Sequence, residues 1–235
     1  MANENLNSQS AICIIGANGG IGYALLQELS LAFEATFFPT YNSSPPSDTN
    51  FEWAYYNSLD PNSIESYFAK LENYKTKAII DCSGAFFASS LLRAITSEIE
   101  YVISTNLTGP FITAKKALTA LAPNGKLIFM SSILAEKDIF GSSIYAASKA
   151  GLEKGISVLG EEFRNRDLAI CGIRLDYMDY GMTHKIKDSV RAEIRDLMPE
   201  REFIKIDVVT KIIRTILEDE SPITSGRIFS LNEAL

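Results

Sequence analysis

The chain has 235 residues, 46% of them hydrophobic and 22% charged, which is enough apolar material for one α/β core and too much for a disordered chain. Lys plus Arg total 22 against 29 for Asp plus Glu, so the formal charge of −7 argues against a surface built to neutralise nucleic-acid phosphates. No run reaches the roughly 18 to 20 apolar residues needed to cross a bilayer, so neither nucleic acid nor membrane is an expected partner.

Residues 1–10 form a polar tail without the basic stretch and apolar core of a secretory signal, and a cytoplasmic chain is expected. Five β-type runs follow, at 11–15, 35–40, 78–82, 126–130 and 169–175, each apolar and bounded by turn residues. Between and after them fall helical patterns at 21–31, 62–72, 99–121, 144–164 and 207–218. Strands that are apolar throughout are buried on both faces, and alternation with helices gives βαβ units. The expected fold is therefore an α/β Rossmann-type doubly wound sandwich with a central parallel β-sheet, as one domain over 1–235.

Two stretches interrupt this pattern. Residues 41–50, with Pro45 and Pro46, have the length of a surface loop. Residues 183–205 place Ile186, Val190, Ile194 and Leu197 at helical spacing, which predicts an amphipathic helix packed on the core or closing as a lid over substrate. Cys13, Cys82 and Cys171 lie far apart in apolar stretches and read as reduced core thiols. His184 is the only histidine, so no His-rich zinc site is available, no metal is expected, and proton transfer must use other groups.

After the first strand comes Ile15-Gly16-Ala17-Asn18-Gly19-Gly20-Ile21-Gly22. Glycines there permit a tight turn and let backbone N–H groups approach a pyrophosphate at a helix N-terminus, although an ordinary strand-to-helix turn also uses glycine. Further on, Tyr145 and Lys149 stand four residues apart on one face of a predicted helix. The pair alone carries little. Ser132 lies thirteen residues upstream, just past an apolar strand, and Asn106 falls in an earlier helical stretch.

In order and spacing these features resemble the short-chain dehydrogenase/reductase family. The glycine turn fits both the compact branch and the extended, sugar-nucleotide-modifying branch, and the short chain favours the compact one. The resemblance runs from Ala11 to about Phe229 and puts Asn106, Ser132, Tyr145 and Lys149 on the family's four catalytic positions. It implies an NAD(P)(H)-dependent oxidoreductase that interconverts a small-molecule carbonyl and an alcohol. It also implies a homo-oligomer, dimer or tetramer, paired through the two long helices.

The chemistry is reasonable for these residue types. A tyrosine hydroxyl titrates near 10, and a nearby Lys149 ammonium together with an oxidised nicotinamide would lower that value, making Tyr145 a general acid for ketone reduction. Ser132 would stabilise charge on the substrate oxygen, and Lys149 would hold ribose hydroxyls. By resemblance Asn106 helps to position a water in a proton relay.

Cofactor contacts are expected from Gly16, Asn18, Gly19, Gly20, Ile21, Gly22, Asn42, Ser43, Asn57, Ser83, Gly84, Tyr145, Lys149 and Thr183. Several depart from the family pattern. Ile15 replaces the Thr before the first glycine, Asp81-Cys82-Ser83-Gly84 replaces Asn-Asn-Ala-Gly, and Asn57 replaces an acidic residue near the adenine. Met178-Asp179 replaces Pro-Gly, and Asn232-Glu233 stands where many relatives have Asp-Gly-Gly. Residues 40–44 contain neither a carboxylate to select NAD nor an Arg to grip a 2′-phosphate, which tilts the expectation to NADP over NAD. Two competing readings keep the fold, one a non-catalytic dinucleotide-binding regulator or scaffold, the other an isomerase or dehydratase of nucleotide sugars.

Overall fold

Alternation along the strands builds the molecule. In the computed structural model, which describes residues 6–87, 89–178, 203–219 and 225–231, every residue of β1 (Ser10–Ile15) is buried. Its odd-numbered side chains Ala11, Cys13 and Ile15 enter one apolar cluster, and Ile12 and Ile14 enter another on the opposite face. The sheet continues through β2 (Thr36–Tyr41), β3 (Ala54–Tyr55), β4 (Lys75–Asp81), β5 (Leu121–Ser132), β6 (Leu168–Leu175) and β7 (Ile228–Ser230). Its order is β3-β2-β1-β4-β5-β6-β7, and all pairings are parallel.

Helices α1 (Gly20–Ala32) and α6 (Ile206–Glu218) cover one face. Leu25, Leu26 and Leu29 from α1 and Val209, Ile213 and Ile216 from α6 pack there against Ile12, Ile80, Ile128 and Ile173. Such spacings put one stripe of each helix against the sheet, and each fully buried aliphatic side chain contributes about 1.5–3 kcal/mol. Helices α2 (Pro61–Ala69), α4 (Gly109–Ala120) and α5 (Ser143–Glu162) supply Tyr67, Phe68, Leu118, Leu152 and Ile156 to the other face.

The expected helix at 99–121 is three pieces. Helix α3 (Thr96–Ile103) runs into a π-helical turn, Ser104–Thr108, which leads directly to α4. The two-residue β3 and three-residue β7 carry too little periodicity to be read from sequence, and each lies at an edge of the sheet. Strand β5 also starts earlier than its apolar run, because Asn124 takes a left-handed turn at φ 61° between Leu121 and Lys126. The predicted amphipathic helix at 183–205 falls mainly on 179–202, outside the described residues, as do Thr183, Asp179 and Asn232-Glu233.

Candidate active site

A cleft lies at the C-terminal edge of the sheet over the neighbouring strands β1 and β4, whose connections leave in opposite directions to β2 and β5, the place where open parallel sheets bind ligands. The glycine turn forms its floor. Gly16 has φ +71°, and a Cβ there would meet the backbone of Ser83 at 3.1 Å. A Cβ on Gly22 would sit 2.5 Å from Gly16 O, so only glycine lets α1 start this close to β1. Gly19 caps α1 without a side-chain oxygen, and no acidic residue stands in the first turn. The N–H groups of that turn are therefore left uncapped by side chains at the positive end of the helix dipole, as an anionic ligand requires.

Ile15 removes the family's hydroxyl before the turn, but the support is supplied from β2. Thr40 Oγ1 accepts from Gly16 N at 3.0 Å, and Thr40 O accepts from Asn18 N at 3.3 Å. The turn is thus supported by a neighbouring strand, a contact that no local pattern could announce.

Two connected hollows flank Ser83. The one towards β2 and β3 encloses about 170 Å³ and is lined by Gly16, Tyr41, Asn42, Asn57, Ser58 and Leu59, with Tyr101 and Thr105 closing it from α3 and the π turn. Asn42 and Asn57 are where the sequence placed them, whereas Tyr41, Ser58, Leu59, Tyr101 and Thr105 carried no sequence signal. Ser43 is exposed and does not line it. The other hollow, about 110 Å³, brings Gly19, Gly20, Ile21 and Gly22 together with Ser83, Gly84, Tyr145 and Lys149. It also takes in Cys82, so only Cys13 and Cys171 are the fully buried core thiols expected of all three; all three are free.

Tyr145 and Lys149 arrive on the first turns of α5, and Ser132 ends β5. The Ser132 hydroxyl lies close enough to the Tyr145 phenol to lower its pKa, and its Oγ accepts from Leu134 N at 3.3 Å, capping a short 3-10 turn, Ile133–Ala135. Phe86 packs edge-on against the Tyr145 ring with centroids 5.0 Å apart. Lys149 is buried and donates from Nζ to Met130 O at 2.8 Å.

Burial pushes the Tyr145 phenol above its usual value of 10, and the Ser132 hydroxyl pulls it back. The Lys149 ammonium is directed at the Met130 carbonyl. Lys149 is itself pushed down to about 8 by burial, against the opposing pull of Asp81, Cys82 and Glu153. Asp81, the charged member of the stretch that departs from the family pattern, is buried. Its Oδ1 accepts from Ser83 N at 2.9 Å, its Oδ2 is buried without a hydrogen bond, and burial raises its pKa despite Ser83 and Lys149.

Asn106 sits in the π turn, fully buried. Its Oδ1 accepts from Ala85 N and its Nδ2 donates to Ala85 O, both at 2.8 Å, and Nδ2 also reaches Ser148 Oγ at 3.1 Å. These bonds make the amide a staple between the segment after β4 and helix α5. Its side chain holds the site's wall in place. Gly84 lies beside it, with a Cβ there 3.6 Å from Asn106 Oδ1 and 3.8 Å from Lys149 Nζ.

Comparison with known proteins agrees with this geometry. The family model described as enoyl-(acyl carrier protein) reductase matches residues 57–233. The 3-oxoacyl-[acyl-carrier-protein] reductase FabG of Escherichia coli is 25% identical over 239 residues, covering 97% of this chain and 98% of that one. The acetoacetyl-CoA reductase of Cupriavidus necator is 23% identical over 245 residues, with coverage of 97% and 98%. In fold, the chain superposes on a short-chain dehydrogenase from Burkholderia cenocepacia, solved in complex with NADP, with a TM-score of 0.84, 20% identity and 97% of both chains covered. The glycine turn where the connections diverge, the Ser132-Tyr145-Lys149 group beside it and these matches lead to one conclusion: the chain belongs to the short-chain dehydrogenase/reductase family of NAD(P)-dependent oxidoreductases.

Proposed function

We propose that the protein interconverts a carbonyl and an alcohol using NADPH, with Tyr145 as general acid in the direction of reduction. The observation that carries this reading is the convergence of Tyr145 and Lys149 on the hollow that the first turn of α1 also lines.

The cleft fits a dinucleotide. Its glycine floor admits close backbone approach, and the uncapped start of α1 suits a diphosphate. The wider hollow has no carboxylate in its lining to repel a 2′-phosphate. Asp48, in the loop after β2, is turned onto α1, where it accepts from Tyr23 Oη at 3.0 Å and Gln27 Nε2 at 3.2 Å. Asn42 can offer a neutral hydrogen bond to either nucleotide, so NADPH is accepted and only mildly preferred. The expected contacts of Ser43 and Thr183 belong to this proposal without support from the described lining.

Bound NADPH would supply the hydride. Ser132 Oγ would donate to the substrate oxygen as negative charge grows there, and Tyr145 Oη would release its proton to that oxygen. Lys149, with a pKa near 8, can hold or release a proton close to neutral pH, which suits it to recharge the phenol. Asn106, through Ala85 and Ser148, keeps the wall beside Lys149 in place.

Names of the relatives suggest thioesters of 3-oxo acids as the first substrates to try. Oxidation of NADPH followed at 340 nm with acetoacetyl-CoA and a panel of ketones should show turnover by the parent and its loss in Tyr145→Phe. A variant that kept a third or more of parental turnover would sink the assignment of Tyr145. Among the described residues no helix is long and apolar enough to cross a membrane. The outward faces of α5 carry small side chains at Ala147 and Ala150, which supports a homo-oligomer. Light scattering should return two or four times the 25.9 kDa of one chain.

A further inference from the structure

Beside the catalytic residues lies a cluster of charges drawn from three elements. Arg174, near the end of β6, donates from Nε to Glu153 Oε1 at 3.0 Å and from Nη2 to Glu153 Oε2 at 2.6 Å. Its Nη1 reaches Glu136 Oε2 at 2.6 Å. Ser131 adds a hydrogen bond to Glu153 Oε1 at 2.7 Å. Exposure divides the partners: the Arg174 and Glu153 side chains are 13% and 11% exposed, that of Glu136 58%.

The sequence positions give the cluster its meaning. Glu153 follows Tyr145 by two helical turns and Lys149 by one, so all three share a face of α5. Glu136 stands four residues after Ser132 at the end of the 3-10 turn, where Ile133 O accepts from Glu136 N at 3.1 Å and from Lys137 N at 3.0 Å. Glu153 alone would satisfy the charge of Arg174. The additional bond to Glu136 joins the segment that carries Ser132 to the helix that carries Tyr145 and Lys149. A guanidinium suits the task, since its planar fork fixes direction as well as charge.

We propose that Arg174 is a positioning residue, whose two-sided ion pair with Glu153 and Glu136 holds the Ser132 hydroxyl at its place against the Tyr145 phenol. The inference rests on the reading of Tyr145 and Ser132 given above. It predicts control of turnover with little influence on nucleotide binding, because none of the three charged residues lines either hollow. Small errors in placing a donor cost far more in rate than in stability.

Glu136→Gln tests this with least disturbance. It keeps the side chain's shape, leaves the Arg174–Glu153 fork in place, and falls at a position exposed enough for folding to tolerate it. Amide hydrogen exchange should become at least about fivefold faster at Leu134, Glu136 and Lys137 and stay unchanged in 126–130. With acetoacetyl-CoA as substrate, kcat should fall about three- to tenfold while KM for NADPH stays within about twofold. Arg174→Lys, a point charge that cannot fork, should give an intermediate loss.

Parental exchange rates in Glu136→Gln would overturn the clamp outright. Faster exchange with parental kcat, alongside an inactive Tyr145→Phe, would overturn the positioning role. Full activity in Tyr145→Phe would instead remove the reading beneath it, and the exchange data would still decide whether the clamp exists.

Discussion

The two hollows of the cleft are built by different means. Around the wider one the polar lining is neutral: Thr40, Asn42, Asn57 and Ser58 line it, and Gly16, where a Cβ would meet the backbone of Ser83, sets its floor. The narrower one is charged, with Lys149 and Asp81 both almost fully buried and Glu153 with Arg174 directly behind them. Buried charge is costly to the fold and persists where surrounding groups are organised around it. Side-chain chemistry therefore governs the catalytic half, and space for the main chain governs the nucleotide half.

The largest expected effect isolates the catalytic half. Tyr145→Phe removes one hydroxyl and little volume, so kcat should drop at least about a hundredfold while NADPH affinity, measured by fluorescence titration, changes less than about threefold. A comparable loss of affinity would show that the two halves are not separable. Next comes the converse. Gly22→Ala drives a methyl into Gly16 O and Ala17 Cα, at 2.5 and 2.9 Å, and should cost about 1–3 kcal/mol. It should appear as a lower melting temperature and weaker NADPH binding, even though no catalytic group is touched.

Lys149→Met sharpens the contrast between function and stability. Lys149 titrates at about 8 in the folded chain, against 10.5 for a lysine side chain free in water. The unfolded chain thus binds more protons between those values, and parental stability should rise with pH across that window. Below pH 8 the buried charge costs the fold about 3 kcal/mol, its hydrogen bond to Met130 O already included, and the variant gives back about 1 by leaving that carbonyl without its donor. The variant should be inactive yet about 1–2 kcal/mol more stable at pH 7, with the difference shrinking above pH 8 in denaturant melts. A less stable variant at pH 7 would show that the charge is better compensated than its burial implies.

The smallest effect belongs to the neutral half. NADPH should bind at least as tightly as NADH, by no more than about a hundredfold, since Asn42 offers only neutral hydrogen bonds. Asn42→Arg should widen that preference by about tenfold. NADH binding more than tenfold tighter than NADPH in the parent would reveal an acidic group reading the ribose.

Strands buried on both faces were legible because a continuous apolar run between turn residues has few other uses, and four of the five predicted runs reproduce observed strands to within three residues at each end. Glycines at 16 and 22 were legible because steric exclusion is local. What escaped notice was set by other parts of the chain. The π turn depends on Asn106 finding Ala85, Thr40 rescues a turn 24 residues away, and Tyr101 closes a hollow opposite Asn57. Pairing with a distant backbone leaves no periodicity at either residue.

Alternating burial, the glycine turn and the Ser132, Tyr145 and Lys149 spacing were determined by the sequence alone, because each follows from the geometry of a strand, a turn or a helix over a few residues. The direction of the Tyr145 and Lys149 pKa shifts, the orphaned Oδ2 of Asp81 and the reach of Arg174 to both Glu136 and Glu153 were decided only by the tertiary structure. Desolvation and ion pairing depend on which atoms surround a charge in three dimensions, and those neighbours come from β4, β5, β6 and α5, segments that meet only when the sheet is assembled.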